Sequence, residues 1–272
     1  MKSLKFILAG AVTLLVILVV VSNPVEPGGP SSARRSSAAD DGKLRIGVLD
    51  SAPVYYHQGS SAKGFDYDMG LEVAKTLGIK PEFVPMDFAD LFTALDEGDI
   101  DMIASQVSVT EEREKAYDFS HPYFVTYLSF TTPKDSPIKK LKDIDGTRVA
   151  IVDGTAQESI LKAQFPKAEI VKRKNEPAAL KAVAEGKADS FFYDAPFTKG
   201  LIKHAPIPME ERIVYPSDKA PIAFVFRKGD GLKGQANSAL DDMIIDGTWL
   251  RIKTEYFREY PLSELFREQG VE

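Results

Sequence analysis

The chain has 272 residues, of which 44% are hydrophobic and 27% are charged, and its formal net charge is −6. This composition is that of a globular protein with room for two modest domains, and the acidic balance without a basic block argues against nucleic acid as a partner. The chain contains no cysteine, which excludes disulfides, thiol catalysis, thiolate metal sites and a lipid anchor on an N-terminal cysteine. Its three scattered histidines lack ligand-like spacing, so we expect neither a metal site nor a cofactor.

The N-terminus has the pattern of an export signal. Residues 1–22 combine two early lysines with the uncharged run FILAGAVTLLVILVVV at 6–21. This run is slightly long for a cleaved signal and slightly short for a membrane span of about 20 residues, so both a cleaved signal peptide and a retained signal anchor stay open. Either way, the rest of the chain is expected in the periplasm or at the extracellular face. Residues 23–43 are rich in Pro, Gly, Ser and Ala and predict a flexible linker.

From residue 44 onward, strand-like and helix-like patterns alternate. Apolar runs rich in β-branched residues predict strands at 44–48, 80–86, 100–104, 127–132, 147–152, 168–172, 190–193 and 221–227. Helical periodicity and Gly stops predict helices at 65–77, 88–96, 157–165, 177–185, 232–246 and 249–257. One more helix is predicted after the strand at 190–193, and it ends at residue 203. This alternation predicts an α/β fold with largely parallel sheets.

Two stretches of the chain are alike. FTALDEGDIDMIAS at 92–105 and LKAVAEGKADSFFY at 180–193 share a helix, a Glu-Gly stop, an Asp and an apolar strand. A structural duplication and simple helix-to-strand loop chemistry both explain the likeness. If the duplication is real, two similar lobes present their strand ends to each other and form a cleft, since ligands of open α/β sheets bind at the carboxyl ends of strands.

An arginine stands at the start of a predicted helix in SVTEEREKAYDFSHPYF, residues 108–124. The Arg113 guanidinium matches a carboxylate, and free N–H groups at a helix start favour an anion as well. Ser108 lies five residues before it and adds a hydroxyl. The alternative is an ordinary surface ion pair with Glu111 or Glu112, worth about 0–1 kcal/mol.

Other candidate site residues also follow strands. The segment 153–156, with Thr155 at its centre, opens a helix and offers a second anion site, or simply a helix cap. Asp194 and Asp50 each end a strand, and a helix cap is again the alternative for Asp194. Phe88 starts a helix and could be a core residue or a platform for a ligand.

Taken in order, these stretches resemble the family-3 extracellular solute-binding proteins, which bind polar amino acids for ABC transporters and include glutamine- and histidine-binding proteins. The resemblance covers about residues 43–258 and is carried by KGFDYDMGLEVAKTLG, VPMDFADLFTALDEGDIDMIASQVSVTEER, YDFSHPYF, VAIVDGTAQE and ADSFFYDAPF. It implies the type II periplasmic-binding-protein fold, with one lobe at 44–131 plus 224–272, the other at 132–223, and crossing strands at 128–133 and 222–227. The stretch PMDF at 85–88 is especially similar to glutamine-binding proteins.

The resemblance implies a grip on the α-amino and α-carboxylate groups of a ligand. Arg113 matches the arginine that holds the carboxylate, helped by Ser108 and the backbone N–H of Ala156. Asp194 matches the acid that takes the ammonium, helped by the carbonyl of Gln106. Gln106 stands where the family usually has Gly or Ser, and Ala156 where Thr or Gly is frequent, so the grip is kept but its surroundings differ.

The resemblance also implies a pocket for the ligand's side chain. Phe88 matches an aromatic that packs on the ligand, and Asp50 and Ser51 lie on a loop that meets the side chain. Val152 and Tyr193 stand where glutamine binders carry Lys and His. The pocket is therefore not that of a glutamine binder, and the sequence leaves the ligand open.

The function expected from the resemblance is capture of an amino acid between the lobes and delivery to the membrane subunits of an ABC transporter, by a monomer that is not an enzyme. One alternative is a cyclohexadienyl dehydratase, whose general acid, a Glu three residues after the acid matched by Asp194, would fall at Phe197. Another is a sensory module held at the membrane by an uncut N-terminus, which would then be the one membrane contact.

Overall fold

The computed structural model describes residues 42–215 and 220–258. The predicted signal segment at 1–22, the predicted linker up to residue 41 and the tail from residue 259 lie outside the described residues. Over 42–215 and 220–258, none of the helices combines the length and the apolar character that crossing a bilayer requires.

Fourteen strands form within the described ranges. The first seven are β1 (Lys43–Leu49), β2 (Tyr56–Gln58), β3 (Ser61–Lys63), β4 (Lys80–Met86), β5 (Met102–Ile103), β6 (Tyr117–Phe119) and β7 (Phe124–Thr126). The second seven are β8 (Leu128–Pro133), β9 (Arg148–Val152), β10 (Glu169–Arg173), β11 (Ser190–Asp194), β12 (Met209–Val214), β13 (Ala220–Ile222) and β14 (Val225–Arg227). They build two five-stranded sheets, β4-β1-β5-β14-β6 and β10-β9-β11-β8-β12, and two smaller pairs, β13-β7 and β2-β3.

Helices flank both sheets. They are α1 (Phe65–Leu77), α2 (Leu91–Glu97), α3 (Glu111–Ala116), α4 (Gln157–Gln164), α5 (Glu176–Ala184), α6 (Ala195–Ile202), α7 (Leu232–Ile245) and α8 (Thr248–Tyr256). Short 3-10 turns occur at Phe88–Asp90 and Leu141–Asp143. Lobe 1 denotes the part of the chain built on the first sheet, and lobe 2 the part built on the second, so the predicted α/β two-lobe fold class is confirmed.

Each sheet is parallel on one side and antiparallel on the other. β1 pairs in parallel with β4 and β5, and β9 pairs in parallel with β10 and β11. β14 runs antiparallel to β5 and β6, and β8 runs antiparallel to β11 and β12. The prediction of largely parallel sheets is therefore wrong on that side. The physical reason is that the chain reaches β8 and β14 by crossing from the other sheet, so no crossover helix imposes a parallel direction.

Two passages of chain connect the lobes. The chain leaves lobe 1 after β6 and returns from β12 to β14. β7 and β13 lie on these passages and pair with each other, with Phe124 opposite Ile222 and Thr126 opposite Ala220. β8, which spans the predicted border between residues 131 and 132, pairs with strands of the second sheet. The paired passages fix where the strand ends of the two sheets meet.

The apolar pattern explains the core. In β9, Val149 and Ile151 join a cluster inside lobe 2, while Ala150 and Val152 join the larger cluster that also fills lobe 1. This alternation follows from the two-residue period of a strand. The sheet of lobe 2 is thus covered on both faces, and only the ends of its strands can present residues to a ligand.

Several predicted boundaries hold and others do not. α1 begins and ends at the predicted residues, and Gly78 ends it in the left-handed conformation at φ 67°. The predicted helix at 88–96 begins as a 3-10 turn before α2. The predicted strand at 221–227 is two strands, β13 and β14, because the chain changes sheet between them.

Candidate functional site

The two lobes touch where their strands end. The Arg113 Nη2 of lobe 1 donates to the carbonyl of Gly154 in lobe 2 at 3.2 Å. A Cβ on Gly154, whose φ is +78°, would lie 2.9 Å from the Cα of Ala89. The structure therefore shows the cleft closed, with backbone against backbone at its rim.

Arg113 is positioned by the start of α3. Its backbone N–H donates to the Thr110 hydroxyl at 3.2 Å, which caps the helix. Its Nη1 donates to the Ser108 carbonyl at 3.0 Å. Its guanidinium carbon lies 5.8 Å from the ring centroid of Phe88 and 5.0 Å from that of Phe92. Two aromatic rings and two carbonyls thus hold the guanidinium at the cleft.

Arg113 makes no salt bridge with any of the residues at 42–215 and 220–258. Glu111 and Glu112 are exposed, so the surface ion pair considered from the sequence is not formed. Burial lowers the pKa of Arg113, and the negative charge of Asp194 is the strongest opposing influence. A cation thus faces the cleft without an anion of its own.

Asp194 is a buried carboxyl across the cleft. Its Oδ2 accepts from Gln157 Nε2 at 2.8 Å, and its Oδ1 has no hydrogen-bond partner in the part of the chain that the structure describes. Its side chain does not cap α6, whose first turn is tied instead by Thr198 Oγ1 donating to the Asp194 carbonyl at 3.0 Å. Burial raises the pKa of Asp194 to about 7, and the polar side chains of Thr126 and Gln157 oppose that rise. An incoming cation would satisfy this carboxyl.

Gln106 adopts the positive φ of 52°, the one such non-glycine residue over 42–215 and 220–258. Its backbone N–H donates to Asp66 Oδ1 at 3.0 Å, and Tyr123 donates its hydroxyl to the same oxygen. These hydrogen bonds stabilise a left-handed backbone conformation that residues other than glycine rarely adopt. The buried amide atoms of Gln106 find no hydrogen-bond partner among the described residues.

Glu176 was not among the residues selected from the sequence. It is fully buried at the first position of α5, and neither of its carboxylate oxygens has a hydrogen-bond partner in the described ranges. Burial raises its pKa, and the nearby hydroxyls of Ser51 and Tyr193 oppose that rise. One signal could have found it: Asn175, which caps α5, and Glu176 follow β10 just as Asp194 ends β11.

The other selected residues surround these groups to different extents. Phe88, Ser51 and Tyr193 are almost completely buried, and Tyr193 stacks on Phe191 at 5.3 Å between ring centroids. Asp50, by contrast, is exposed, and its backbone bridges to Tyr55. The structure thus brings the aromatic and hydroxyl groups to the buried cleft and leaves Asp50 at the surface.

The segment that opens α4 presents backbone to the cleft. Thr155 is buried, and its hydroxyl donates to the Val152 carbonyl at 2.7 Å. Ala156 is partly buried and directly precedes α4. The turn itself also takes the backbone N–H of Thr155, 3.4 Å from the Val152 carbonyl, and that of Gly154, 3.0 Å from Asp153 Oδ1. The backbone N–H of Ala156 is left as the donor of the segment.

The chemistry of this cleft is that of a binding site for charges. A guanidinium lies on the lobe 1 side, and two buried carboxyls, Asp194 and Glu176, lie on the lobe 2 side. Within the described ranges, no cluster of three or more His, Asp or Glu side chains could hold a metal ion. The arrangement suits a small molecule that carries both an anionic and a cationic group.

Comparison with known proteins gives consistent matches over nearly the whole folded part. The family model described as "Bacterial extracellular solute-binding proteins, family 3" matches residues 44–259. The "Probable amino-acid-binding protein YxeM" of Bacillus subtilis is 30% identical over 95% of this chain and 97% of its own length. The "Arginine-binding extracellular protein ArtP" of the same organism is 30% identical over 82% of this chain and 89% of its own length.

A solved structure shares the same architecture. The crystal structure of "the ancestral amino acid-binding protein AncCDT-1, a precursor of cyclohexadienyl dehydratase" is 32% identical, with a TM-score of 0.74. The match covers 81% of this chain and 98% of the ancestral protein. The two-lobe framework is thus shared with an ancestral amino acid-binding protein.

Proposed function

The chain belongs to the bacterial extracellular solute-binding proteins of family 3, and from this premise we propose that it captures an α-amino acid between its lobes and delivers it to the membrane subunits of an ABC transporter. The observation that carries the proposal is the pair Arg113 and Asp194. A guanidinium without a carboxylate partner and a buried carboxyl with a free oxygen face one cleft from opposite lobes. These groups match the two charges of a zwitterion.

The energetics favour binding by closure. A zwitterion buried in a cleft loses the hydration of both its charges, so each charge needs a partner in the site. Arg113 lies in lobe 1 and Asp194 in lobe 2. Because only the closed arrangement supplies both partners, the ligand stabilises closure through its higher affinity for that state.

The neighbouring groups have supporting roles in this proposal. Ser108 and the backbone N–H of Ala156 assist the carboxylate, Thr155 holds the turn that presents this N–H, and the Gln106 carbonyl assists the ammonium. Phe88, which is buried beside the Arg113 guanidinium, packs on the ligand.

Three residues are proposed to face the ligand's side chain: Ser51, Tyr193 and Asp50. The roles of Ser51 and Tyr193 are supported by their burial and by their proximity to Glu176, whose pKa both hydroxyls lower against the effect of burial. Asp50 has weaker support because it is exposed.

The partners and the location follow from the family and from the N-terminal pattern. We propose that the protein acts as a monomer outside the cytoplasm, with one lobe border at residues 223/224 and the other between β7 and β8 rather than at 131/132, because the whole of β8 pairs in the second sheet. Any membrane contact of its own is through residues 1–22, if they stay uncut. The similarity to YxeM, a probable amino-acid-binding protein, and to ArtP, an arginine-binding protein, supports an amino acid as the solute.

We propose that the protein is not an enzyme. The position at which the dehydratase resemblance would require a carboxylic acid is Phe197. This side chain is buried and packs against Phe124 and Phe257, at 5.7 and 5.3 Å between ring centroids. An apolar ring in an aromatic cluster cannot transfer a proton. Formation of phenylpyruvate from prephenate by the purified protein would overturn this assignment.

The proposal is tested by calorimetry on protein that has been unfolded and refolded to remove any co-purified ligand. We expect at least one L-α-amino acid to bind, and its α-amide and N-acetyl derivatives to bind much more weakly, because each has lost one charge. Arg113→Ala should weaken binding by roughly 30-fold or more, as expected for breaking a buried charge pair. Arg251→Ala is the matched control, since Arg251 is an exposed arginine 3.8 Å from Glu72. If none of the amino acids bound, or if Arg113→Ala kept full affinity, the proposed function would be wrong.

A further inference from the structure

Glu176 is a carboxyl that the α-amino-acid grip does not use. It is completely buried, and both of its oxygens are without a hydrogen-bond partner among the described residues. A buried carboxylate that lacks a partner is costly, and such groups are almost always paired in native proteins. An orphan of this kind in a ligand cleft indicates that the ligand supplies the partner.

The surroundings of Glu176 place it on the cleft. The Ser51 hydroxyl from lobe 1 and the Tyr193 hydroxyl from lobe 2 both oppose the rise that burial causes in the pKa of Glu176, and the charge of Glu176 adds to the rise that burial causes in the pKa of Asp194 at the end of β11. Glu176 therefore lies between the two lobes, next to the acid proposed to take the ligand's ammonium.

The charges of the site do not balance for a simple zwitterion. Arg113 would be neutralised by the ligand's carboxylate and Asp194 by its ammonium, which leaves Glu176. The two cations on β10 are committed elsewhere: Lys172 Nζ lies 3.0 Å from Asp153 and 2.8 Å from Glu158, and Arg173 Nη1 donates to the Lys172 carbonyl at 2.7 Å. One further positive charge is needed inside the closed cleft.

We propose that Glu176 binds a positively charged group on the ligand's side chain, so that the ligand is a cationic amino acid with a guanidinium or ammonium at its far end. The inference rests on the proposed function, since it assumes that Arg113 and Asp194 hold the α-groups. Two free oxygens on one carboxylate suit a guanidinium in the paired, bidentate geometry, and they also suit an ammonium.

The competing possibility is a protonated Glu176 that hydrogen-bonds a neutral polar side chain. A neutral carboxylic acid needs no cation, and it would accept a glutamine-like amide equally well. The two possibilities differ in one measurable respect. A cation-binding site discriminates sharply between a charged side chain and its uncharged isostere, whereas a hydrogen-bonding site does not.

The test is calorimetry with matched ligands on the refolded, full-length protein. L-arginine is compared with L-citrulline, which has nearly the same shape without the charge, and L-lysine with L-6-hydroxynorleucine, in which a hydroxyl replaces the ammonium. We expect at least one cationic ligand to bind 100-fold or more tightly than its uncharged isostere. Glu176→Gln should reduce that preference to less than about 5-fold, mainly by weakening the cationic ligand. Glu185→Gln, just beyond the other end of α5 and exposed, is the control and should keep the preference.

The outcomes separate this inference from the proposed function. Equal binding of arginine and citrulline, or a preference for glutamine or another neutral amino acid, would contradict the inference and leave the proposed function standing. A strong preference that survives in Glu176→Gln would assign the cation to another carboxyl and also contradict it. Binding of no amino acid at all would remove the proposed function as well. The wild-type comparison decides the ligand class even if Glu176→Gln fails to fold.

Discussion

The two lobes solve the same structural problem in the same way at one edge of their sheets. In lobe 1, Asp101 accepts from the backbone N, Nε and Nη2 of Arg45 at 3.0, 3.1 and 2.9 Å. In lobe 2, Asp189 accepts from the same three groups of Arg148 at 2.8, 3.2 and 2.7 Å. Each Asp also donates its backbone N–H to the carbonyl of its Arg, at 2.8 and 2.7 Å. Arg45 is the third residue of β1 and Arg148 is the first residue of β9, so both lie near the strand ends opposite those that form the cleft.

The difference between the lobes lies in what covers this Arg–Asp clamp. Asp101 is fully buried and also contacts Arg227 of β14, whose Nη2 lies 3.3 Å from its Oδ1. The side chain of Asp189 is 35% exposed. β14 is the strand that returns from lobe 2, so the clamp of lobe 1 is completed only after the whole of lobe 2 has been traversed. The same local motif is therefore expected to contribute differently to the stability of each lobe, because distant parts of the chain bury it to different extents.

At the opposite edge the lobes have diverged in charge. Lobe 1 brings the guanidinium of Arg113 and two aromatic rings to the cleft, and lobe 2 brings Asp194 and Glu176. The two lobes thus share the Arg–Asp clamp at one edge of their sheets, and they carry opposite charges at the edge that faces the cleft. This contrast indicates which substitutions should change stability and which should change ligand binding.

The largest expected effect is on the stability of lobe 1. Asp101→Ala leaves Arg45 and Arg227 without their shared carboxylate, although both are largely buried. Breaking a buried ion pair by removing one partner costs about 3–5 kcal/mol. We expect the free energy of unfolding, measured with urea, to fall by that amount. A loss below about 1 kcal/mol would show that burying this clamp does not increase its contribution to the free energy of unfolding.

The next effect separates closure from folding. Gly154→Ala and Gly186→Ala both place a side chain at positive φ, +78° and +67°, and each should lose about 1 kcal/mol of stability. Only at Gly154 does the new Cβ meet the other lobe, 2.9 Å from the Cα of Ala89. We expect calorimetry to show ligand affinity reduced by roughly 10-fold or more in Gly154→Ala, and unchanged in Gly186→Ala. Equal affinities in both variants would mean that the lobes need not touch here.

The sequence predicted much of the scaffold and allowed some residues of the candidate site to be selected. The bounds of α1 were right because its apolar period and the glycine at its end are local features. The hairpin β2–β3 and the strand β12 were missed, since short edge strands depend on partners far away in the chain. Arg113 and Asp194 could be selected because each lies at the end of a strand or the start of a helix. Glu176 was missed because its burial depends partly on a loop of the other lobe, which no local pattern reveals.

The repeated segments at 92–105 and 180–193 are now explained in structural terms. Gly98 and Gly186 both take positive φ at the end of a helix, and Asp101 and Asp189 both hold the Arg of a neighbouring strand. Helix-to-strand loop chemistry alone does not require that second feature. The shared clamp therefore favours the structural duplication over the simpler explanation.

A smaller effect is the pH dependence of the ligand-free protein. Burial raises the pKa of Asp194 to about 7 and that of Asp66 to about 6. Between about pH 4 and these values the folded state holds protons that the unfolded state has lost, so stability falls as the pH rises, by up to about 1.4 kcal/mol per pH unit for each group. We expect Asp194→Asn to flatten the fall between pH 6 and 7, and Asp246→Asn, at an exposed aspartate, to leave it unchanged. A flat wild-type profile would mean that these carboxyls ionise freely.

The smallest expected effect completes the comparison of the lobes. Asp189→Ala removes the same three hydrogen bonds as Asp101→Ala, but the Arg148 side chain is 40% exposed and keeps a bond from its Nη1 to the Gly186 carbonyl. Water can therefore replace most of what is lost, and exposed ion pairs contribute only about 0–1 kcal/mol. We expect the free energy of unfolding to fall by no more than about 1 kcal/mol in urea, and ligand affinity to stay unchanged. A loss as large as that of Asp101→Ala would show that the geometry of the clamp matters more than its burial, because geometry is the one property that the two lobes share.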